Sequence, residues 1–421
     1  MLRWRIAVLV SAAIAISYLD RQTLPVAVSA IGKDIPLSNQ QFSTLQSAFL
    51  FSYAFMYAGG GKLSDVLGTR LGFTVIMIFW SLACASHGLA MSFAMLVGSR
   101  FLLGVGEGGG FPAATRAVAE WFPTEERAIA MGIVNAGTAV GAIVAPPLIA
   151  MILSYRSWRW IFLITGGFGL LWTGWWRYSY FSPERPVDLH GFGVDMSRPT
   201  TSSDELSESP QWIDLLRIRE SWGLVIAKFF SDAAWYFYLF WLPKYLYDAR
   251  GFDIKGVGTY AWIPSAAAGV GCLLGGWFSS YLVRREFTVG VARKVALGLS
   301  AVVMPFIILV PHVAVSWAIG LFSIAYFGQQ SWSTLVMVLP TDLFPRSIVG
   351  SVAGLVGFGG AMGGILFGQV AGFLLDRGFG YGFVFSLAGT FHVIAFLVIL
   401  VAIPVFQPGE IARRLSYQGV R

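Results

Sequence analysis

Four charged residues sit inside runs of apolar sequence, and their types and spacing are the ones that could do chemistry. Asp20 and Arg21 are adjacent in Tyr18-Leu19-Asp20-Arg21, and Arg100 and Glu107 lie seven apart in RFLLGVGEGGGFPAATR, hence on one helix face. A charge at the centre of a bilayer costs on the order of 2.5 to 3.5 kcal/mol on insertion scales, so each of these residues needs a partner or a task. Arginine stays charged and grips a carboxylate through two parallel N–H bonds, whereas a carboxyl removed from water holds its proton closer to neutral pH. Such a set reads as an anion site beside proton-carrying groups. The plainer reading is two static ion pairs that hold one helix against another.

Other side chains suit a small polar ligand. Tyr18 stands three residues before Arg21 and so on a nearby face. Asn135 and Thr138 are three apart in a Gly-rich run, and Gln330, Ser333 and Thr334 share one helical face beside Gln329 and Trp332. The span 10 groups suit the hydroxyls of a small polar ligand, or alternatively a structural helix contact. Trp235 and Tyr236 offer rings that stack on the apolar face of a ligand or simply pack. Lys228 and Asp232, four apart, can neutralise each other without any substrate. The segment Gly104-Val105-Gly106-Glu107-Gly108-Gly109 satisfies a dinucleotide-binding pattern only formally, because an apolar run and not a strand precedes it. These glycines instead let helices approach closely. Metal and cofactor chemistry find no support: His87, His190, His312 and His392 are scattered without ligand spacing, and Cys84 and Cys272 lie in separate apolar runs. No nucleophile elbow or phosphate loop is present, which argues against an enzyme.

The elements that must position these residues are membrane helices. Of the 421 residues 56% are hydrophobic and 12% charged, against about 25% charged in soluble domains, and the mean hydropathy is +0.68. Apolar runs recur along almost the whole chain and predict twelve spans, at roughly 5–31, 42–61, 71–90, 93–118, 128–152, 157–180, 221–246, 258–283, 291–311, 313–340, 347–374 and 379–405. The expected fold is an all-α membrane protein of two six-helix pseudo-symmetric halves: 1–181, a polar linker 182–220, 221–405 and a tail 406–421. Arg3 and Arg5 before an apolar run imitate a signal peptide, but Asp20, Arg21 and Pro25 interrupt the approach to the one passable cleavage site, so span 1 is expected to stay uncleaved. Of 29 Lys and Arg residues, 18 fall on the side of the N-terminus and every second loop and 7 on the other, which places both termini in the cytoplasm. Spread over short loops, the net charge of +7 fits a membrane surface and not nucleic acid. A faint repeat links Gly61 to Arg70 after span 2 with Gly276 to Arg285 at the end of span 8, as parallel repeats would.

Gly61-Lys62-Leu63-Ser64-Asp65-Val66-Leu67-Gly68-Thr69-Arg70 resembles the cytoplasmic signature of the major facilitator superfamily. In it Asp65 would face the positive N-terminal end of a neighbouring helix and latch one conformation. SYLDRQTLPVA, RFLLGVGEGGGFPAATR with EWFPTEERAIAMGI, KFFSDAAWYFYLFWLPKYL and GQQSWSTLVMVLPTDLFP extend the resemblance over nearly the whole chain, to the anion:cation symporter branch. Spans 7 and 10 look most like bacterial hexuronate transporters, and the Asp-Arg pair is shared with galactonate and glucarate relatives. The resemblance implies that Arg21 holds the substrate carboxylate, that Asp20 and Glu107 carry protons, that Arg100 modulates Glu107, and that Tyr53 contacts substrate. Tyr53 also lies about nine residues inside the cytoplasmic end of its span, deeper than an interface anchor sits. The implied protein is a proton-coupled importer of a sugar acid, in first place a hexuronate, in the bacterial inner membrane. It would need no cofactor beyond coupling protons and no nucleic-acid partner, and a monomer would suffice. The alternatives are an aldonate or aldarate carrier, another organic-anion carrier, or a non-transporting membrane sensor on the same fold.

Overall fold

The computed structural model describes residues 2–122, 124–181, 217–344 and 349–404, with the backbone alone at 2, 57–66, 119, 124–129 and 349–351. Residues 182–216 of the expected linker and the expected tail 406–421 lie outside the described residues. Every regular element among the described residues is helical, and the helices follow the expected spans. Leu2–Asp34 is span 1, and Asn39–Ser86 carries spans 2 and 3 in one run broken at Gly68, whose φ of 74° and ψ of 159° are open only to glycine without strain. Span 4 is split into Phe93–Gly108 and Gly110–Trp121; spans 5 and 6 are Thr124–Tyr155 and Trp158–Ser179. Arg219–Asp248 is span 7, and span 8 is the short Ile254–Tyr260 followed by Trp262–Arg284. Span 9 is Val289–Val302 and then tightens into a 3-10 helix, Met304–His312, where Pro305 and Pro311 remove backbone donors. Val315–Leu343, Val349–Asp376 and Gly380–Ala402 are spans 10, 11 and 12.

Seven segments among the described residues are long and apolar enough to cross a membrane on those grounds alone, corresponding to spans 1, 3, 5, 8, 9, 11 and 12. The weaker passes are informative. Span 4 is broken at Gly109 into helices of 16 and 12 residues, each too short to cross alone, while spans 7 and 10 carry the polar candidates Lys228 and Asp232, and Gln329 to Thr334. Leu171, Leu273, Trp317 and Val401 are exposed large apolar side chains on the helix exteriors, as lipid contact requires.

The chain forms two compact units. One comprises Met1–Asp188, Tyr236–Ala266 and Phe367–Tyr381; the other comprises Leu189–Trp235, Ala267–Leu366 and Gly382–Arg421. In the first unit, span 4 packs tightly on spans 2 and 3. A Cβ at Gly104 would collide with Ser52 Oγ and Phe49 O, and one at Gly106 would lie 2.7 Å from Trp80 Cα. The Gly-rich run around Glu107 is therefore a close helix contact, as its composition suggested. Also in this unit, Ser38 caps span 2 through a reciprocal capping box with Gln41, while Asp376 accepts from the next free amides, Asn39 N at 2.9 Å and Gln40 N at 2.8 Å. In the second unit Leu224, Leu297, Trp332, Leu335, Val356 and Ile399 form the buried core.

Candidate functional site

Span 1 presents Asp20 and Arg21 in different directions, because adjacent helical residues are about 100° apart. Arg21 turns to span 4, where its Nε donates to Glu107 Oε2 at 2.8 Å, and the two side chains are 5% and 0% exposed. Ser17, one turn earlier, donates to the same Oε2 at 2.6 Å. The guanidinium rests over the rings of Tyr53 at 4.5 Å, Tyr18 at 4.7 Å and Phe49 at 5.4 Å. Stacking on aromatic faces stabilises a cation without using its N–H groups. Among the described residues Arg21 Nη2 and Glu107 Oε1 have no hydrogen-bond partner. Nε and Nη2 form one edge of the guanidinium fork, so an edge able to take a carboxylate through two bonds is using one.

Asp20 is fully buried and turns to span 3. Trp80 Nε1 donates to its Oδ2 at 2.8 Å, and Cys84 Sγ lies 3.4 Å from its Oδ1 and 3.3 Å from Thr165 Oγ1 on span 6. Among the described residues its hydrogen-bond partners are all neutral. Arg100 is also fully buried, 5.9 Å over the Phe49 ring, and none of its three guanidinium nitrogens is hydrogen-bonded among the described residues. A carboxylate without a cation and a cation without an acceptor, both enclosed in one helix bundle, are costly as static structure.

The remaining expected residues divide. Tyr236, in the first unit, stacks on Phe240 and lies within electrostatic reach of Arg21. Thr138 spends its hydroxyl on Asn135 O in its own helix at 2.8 Å, and the Asn135 side chain is exposed. An apolar groove of about 480 Å³ bordered by Ser11, Gly137 and Trp172 holds none of the four charges. In the second unit Trp235 packs edge-on against Tyr326, and Thr334 bonds Gln330 O and contacts Cys272 Sγ. Ser333 accepts from Lys228 Nζ at 3.0 Å, and Lys228 also pairs with Asp232 at 2.9 Å, the self-neutralising contact that the spacing predicts. Of the expected latch, Gly61 and Asp65 lie outside the described side chains; Gly68 breaks the helix, and Arg70 Nη2 donates to Arg177 O at 2.6 Å. Arg116 Nε donates to Glu120, which also accepts from Thr69 and Tyr180.

Sequence reasoning missed Ser17, Trp80, Cys84 and His392 as site neighbours, and placed Gln329 beside the favoured face of span 10 and not on it. Trp80 and Cys84 are one turn apart and so share a face, the only signal that could have linked them to a buried acid.

Long apolar helices around enclosed charges define a multi-pass membrane protein, and the proteins it is similar to are transporters, not enzymes. The chain belongs to the Major Facilitator Superfamily, whose family model matches residues 10–368. It is similar to a hexuronate transporter of Escherichia coli (strain K12), with 31% identity over 94% of this chain and 93% of the relative. It is also 33% identical to a galacturonate transporter of Dickeya chrysanthemi over 72% of this chain and 89% of that one. A third relative is a D-galactonate transporter of Escherichia coli O6:H1 (strain CFT073), at 29% identity over 90% of both chains. Among solved structures, a bacterial homolog of the human lysosomal transporter Spinster has the same fold, with a TM-score of 0.74 at 19% identity over 96% of this chain and 98% of that one.

Proposed function

We propose that this protein imports a sugar-acid anion, in first place a hexuronate such as glucuronate or galacturonate, together with protons. The observation that carries the reading is the single hydrogen bond between Arg21 Nε and Glu107 Oε2, with Nη2 and Oε1 left over. A substrate carboxylate and Glu107 compete for one edge of one guanidinium. While Glu107 is ionised it occupies Nε, and an incoming anion would place two negative charges on one cation. A proton on Glu107 removes that competitor and frees Nε and Nη2 for a two-bond grip on the substrate. Proton and anion thus favour each other's binding, which is the thermodynamic condition for symport. Release of the proton restores the Arg21–Glu107 pair and expels the anion. Asp20, held by Trp80 and Cys84, serves as a second proton site, and the buried charge of Arg100 helps Glu107 give its proton up.

The relatives' substrates support a sugar acid, and Arg21 supplies the carboxylate ligand. An aldarate is the second reading: Arg100 is a buried guanidinium with three unbonded nitrogens and would suit another carboxylate. A monomer with both termini on the cytoplasmic side of a bacterial inner membrane completes the reading. The test is uptake of labelled glucuronate into proteoliposomes under an inward proton gradient, with a protonophore control and competition by galacturonate, galactonate, glucarate and glucose. Protonophore-sensitive accumulation supports symport, and the competition order assigns the substrate. Folded protein that takes up none of the acids would refute the reading.

A further inference from the structure

Three spans of the first unit enclose the apolar groove of about 480 Å³ that holds none of the charges described above. Span 1 supplies its floor through Ser11, Ala12 and Ala15, whose side chains are too short to fill the space, and span 6 supplies a wall through Leu171, Trp172 and Trp175. Span 5 closes on span 1 from the other side: a Cβ at Gly137 would collide with Ser11 O, and one at Gly141 with Ala15 O. Val8, Leu171 and Trp175 at the rim are large apolar side chains with at least half of their surface exposed, so the groove opens to lipid and not into the bundle.

Its length selects an occupant. On span 1 the groove runs from Val8 to Ile16, about 12 Å at the helical rise, and on span 6 from Phe168 to Trp175, about 10 Å. The hydrocarbon core of a bilayer is about 30 Å thick, so the groove is about as long as one leaflet is deep. A spanning helix of a second copy would need a face of the full thickness, whereas an acyl chain fits a single leaflet. The two ends also differ in charge. Trp172 Nε1 donates to Leu9 O at 2.8 Å, so the end of span 6 lies beside the start of span 1. Beyond that contact the groove face of span 1 continues to the exposed Arg5, and the groove face of span 6 continues to Tyr178, which is 92% exposed. Arg5 is four residues from Leu9 and Tyr178 six from Trp172, which puts the two within about one turn of each other along the helix axes. No acidic residue occurs in 1–16 or 166–182, and the opposite end of the groove, at Ile16 and Phe168, is apolar.

We propose that this groove is a binding site for one anionic phospholipid, with an acyl chain lying along Ala12 and Trp172 and the phosphate accepting from Arg5 and the Tyr178 hydroxyl at the mouth. A cation and a hydroxyl without a neighbouring carboxylate bind the phosphate and offer nothing to an ammonium headgroup, so anionic lipids are preferred to zwitterionic ones.

The test is photolabelling of the purified full-length protein in nanodiscs by phosphatidylglycerol or phosphatidylcholine carrying a diazirine in one acyl chain, read by peptide mass spectrometry, with native mass spectrometry for retained lipid and copy number. Label should concentrate on spans 1, 5 and 6 around Ala12, Gly137 and Trp172, and phosphatidylglycerol should be retained more strongly. Arg5→Gln should weaken retention of phosphatidylglycerol about fivefold, the contribution of one basic residue at an anionic membrane surface, and leave phosphatidylcholine unchanged. Arg3→Gln removes the same charge about 200° around the helix and should change neither. Ala12→Phe, which fills the floor of the groove, should remove this labelling for both lipids. Label spread evenly over the lipid-facing helices, or equal effects of Arg3→Gln and Arg5→Gln, would make the groove ordinary lipid-facing surface and overturn the inference. A dimer that shields the groove from label would assign it to a second copy and overturn the inference as well.

Discussion

Replacing Glu107 by glutamine should tighten anion binding at alkaline pH and abolish gradient-driven accumulation while leaving exchange intact. In the wild type an ionised Glu107 holds Arg21 Nε at 2.8 Å inside the bundle, and a substrate must displace it. Glutamine can still accept that N–H, but as a neutral group, like glutamic acid after proton uptake. The difference between the two hydrogen bonds is about 1 to 1.5 kcal/mol, from the roughly twofold greater strength of charge-assisted bonds. Substrate affinity at alkaline pH should therefore rise about five- to tenfold, since 1.4 kcal/mol is a factor of ten. The wild type should bind more tightly as pH falls and approach the variant's affinity. Equilibrium binding of labelled anion to purified protein across pH measures this directly. In proteoliposomes one coupled proton supports up to about tenfold accumulation per unit of pH gradient, and the variant should lose this share while still exchanging labelled for unlabelled substrate. A variant that binds no more tightly than wild type at alkaline pH, or that accumulates normally, would remove Glu107 from the proton path.

Arg21→Lys should abolish uptake, because a lysine cannot offer the Nε–Nη2 edge; normal transport by that variant would refute the carboxylate role. Trp80→Phe removes the donor on Asp20 Oδ2 and should cost about 1 to 3 kcal/mol, read as a lower melting temperature of the purified protein; unchanged stability would show that water or another group replaces the indole. Gly104→Ala should reduce folded yield by fluorescence-detected size exclusion, since overpacking typically costs about 1 to 3 kcal/mol, while Gly98→Ala, with no atom within 4 Å of its added Cβ, should not. Equal yields from the two would refute the close contact of span 4.

The helical architecture was legible because apolar length is a strong signal and lipid leaves the backbone no alternative to helix. The four charges were legible for the same reason: each is an exception inside an apolar run. Their pairing was only partly legible. Chain adjacency draws attention to Asp20 beside Arg21, yet helix geometry sends the two carboxylate and guanidinium groups to spans 3 and 4. Trp80 and Cys84 gave little warning, since both residue types usually pack in apolar helices. In span 10 the helical face predicted from spacing gathers Gln330, Ser333 and Thr334, whereas the structure gives Gln329 the buried contacts and ties Thr334 to its own helix. His392 looked isolated because its hydrogen-bond partner, Gln329, is 63 residues away in sequence. Contacts between spans so distant have no local signature.

The first compact unit is discontinuous in the chain, and its last segment begins at Phe367. Ribosomes synthesise about 5 to 20 residues per second, so the end of span 6 and this closing segment are separated by roughly ten to forty seconds of translation. During that interval the first six spans lack part of their own packing surface, including the Asp376 carboxylate that receives the amides of Asn39 and Gln40. Membrane insertion can proceed span by span, but assembly of this unit is a late event. Truncations placed before Phe367 should therefore yield inserted yet unfinished protein, the form that quality-control proteases select.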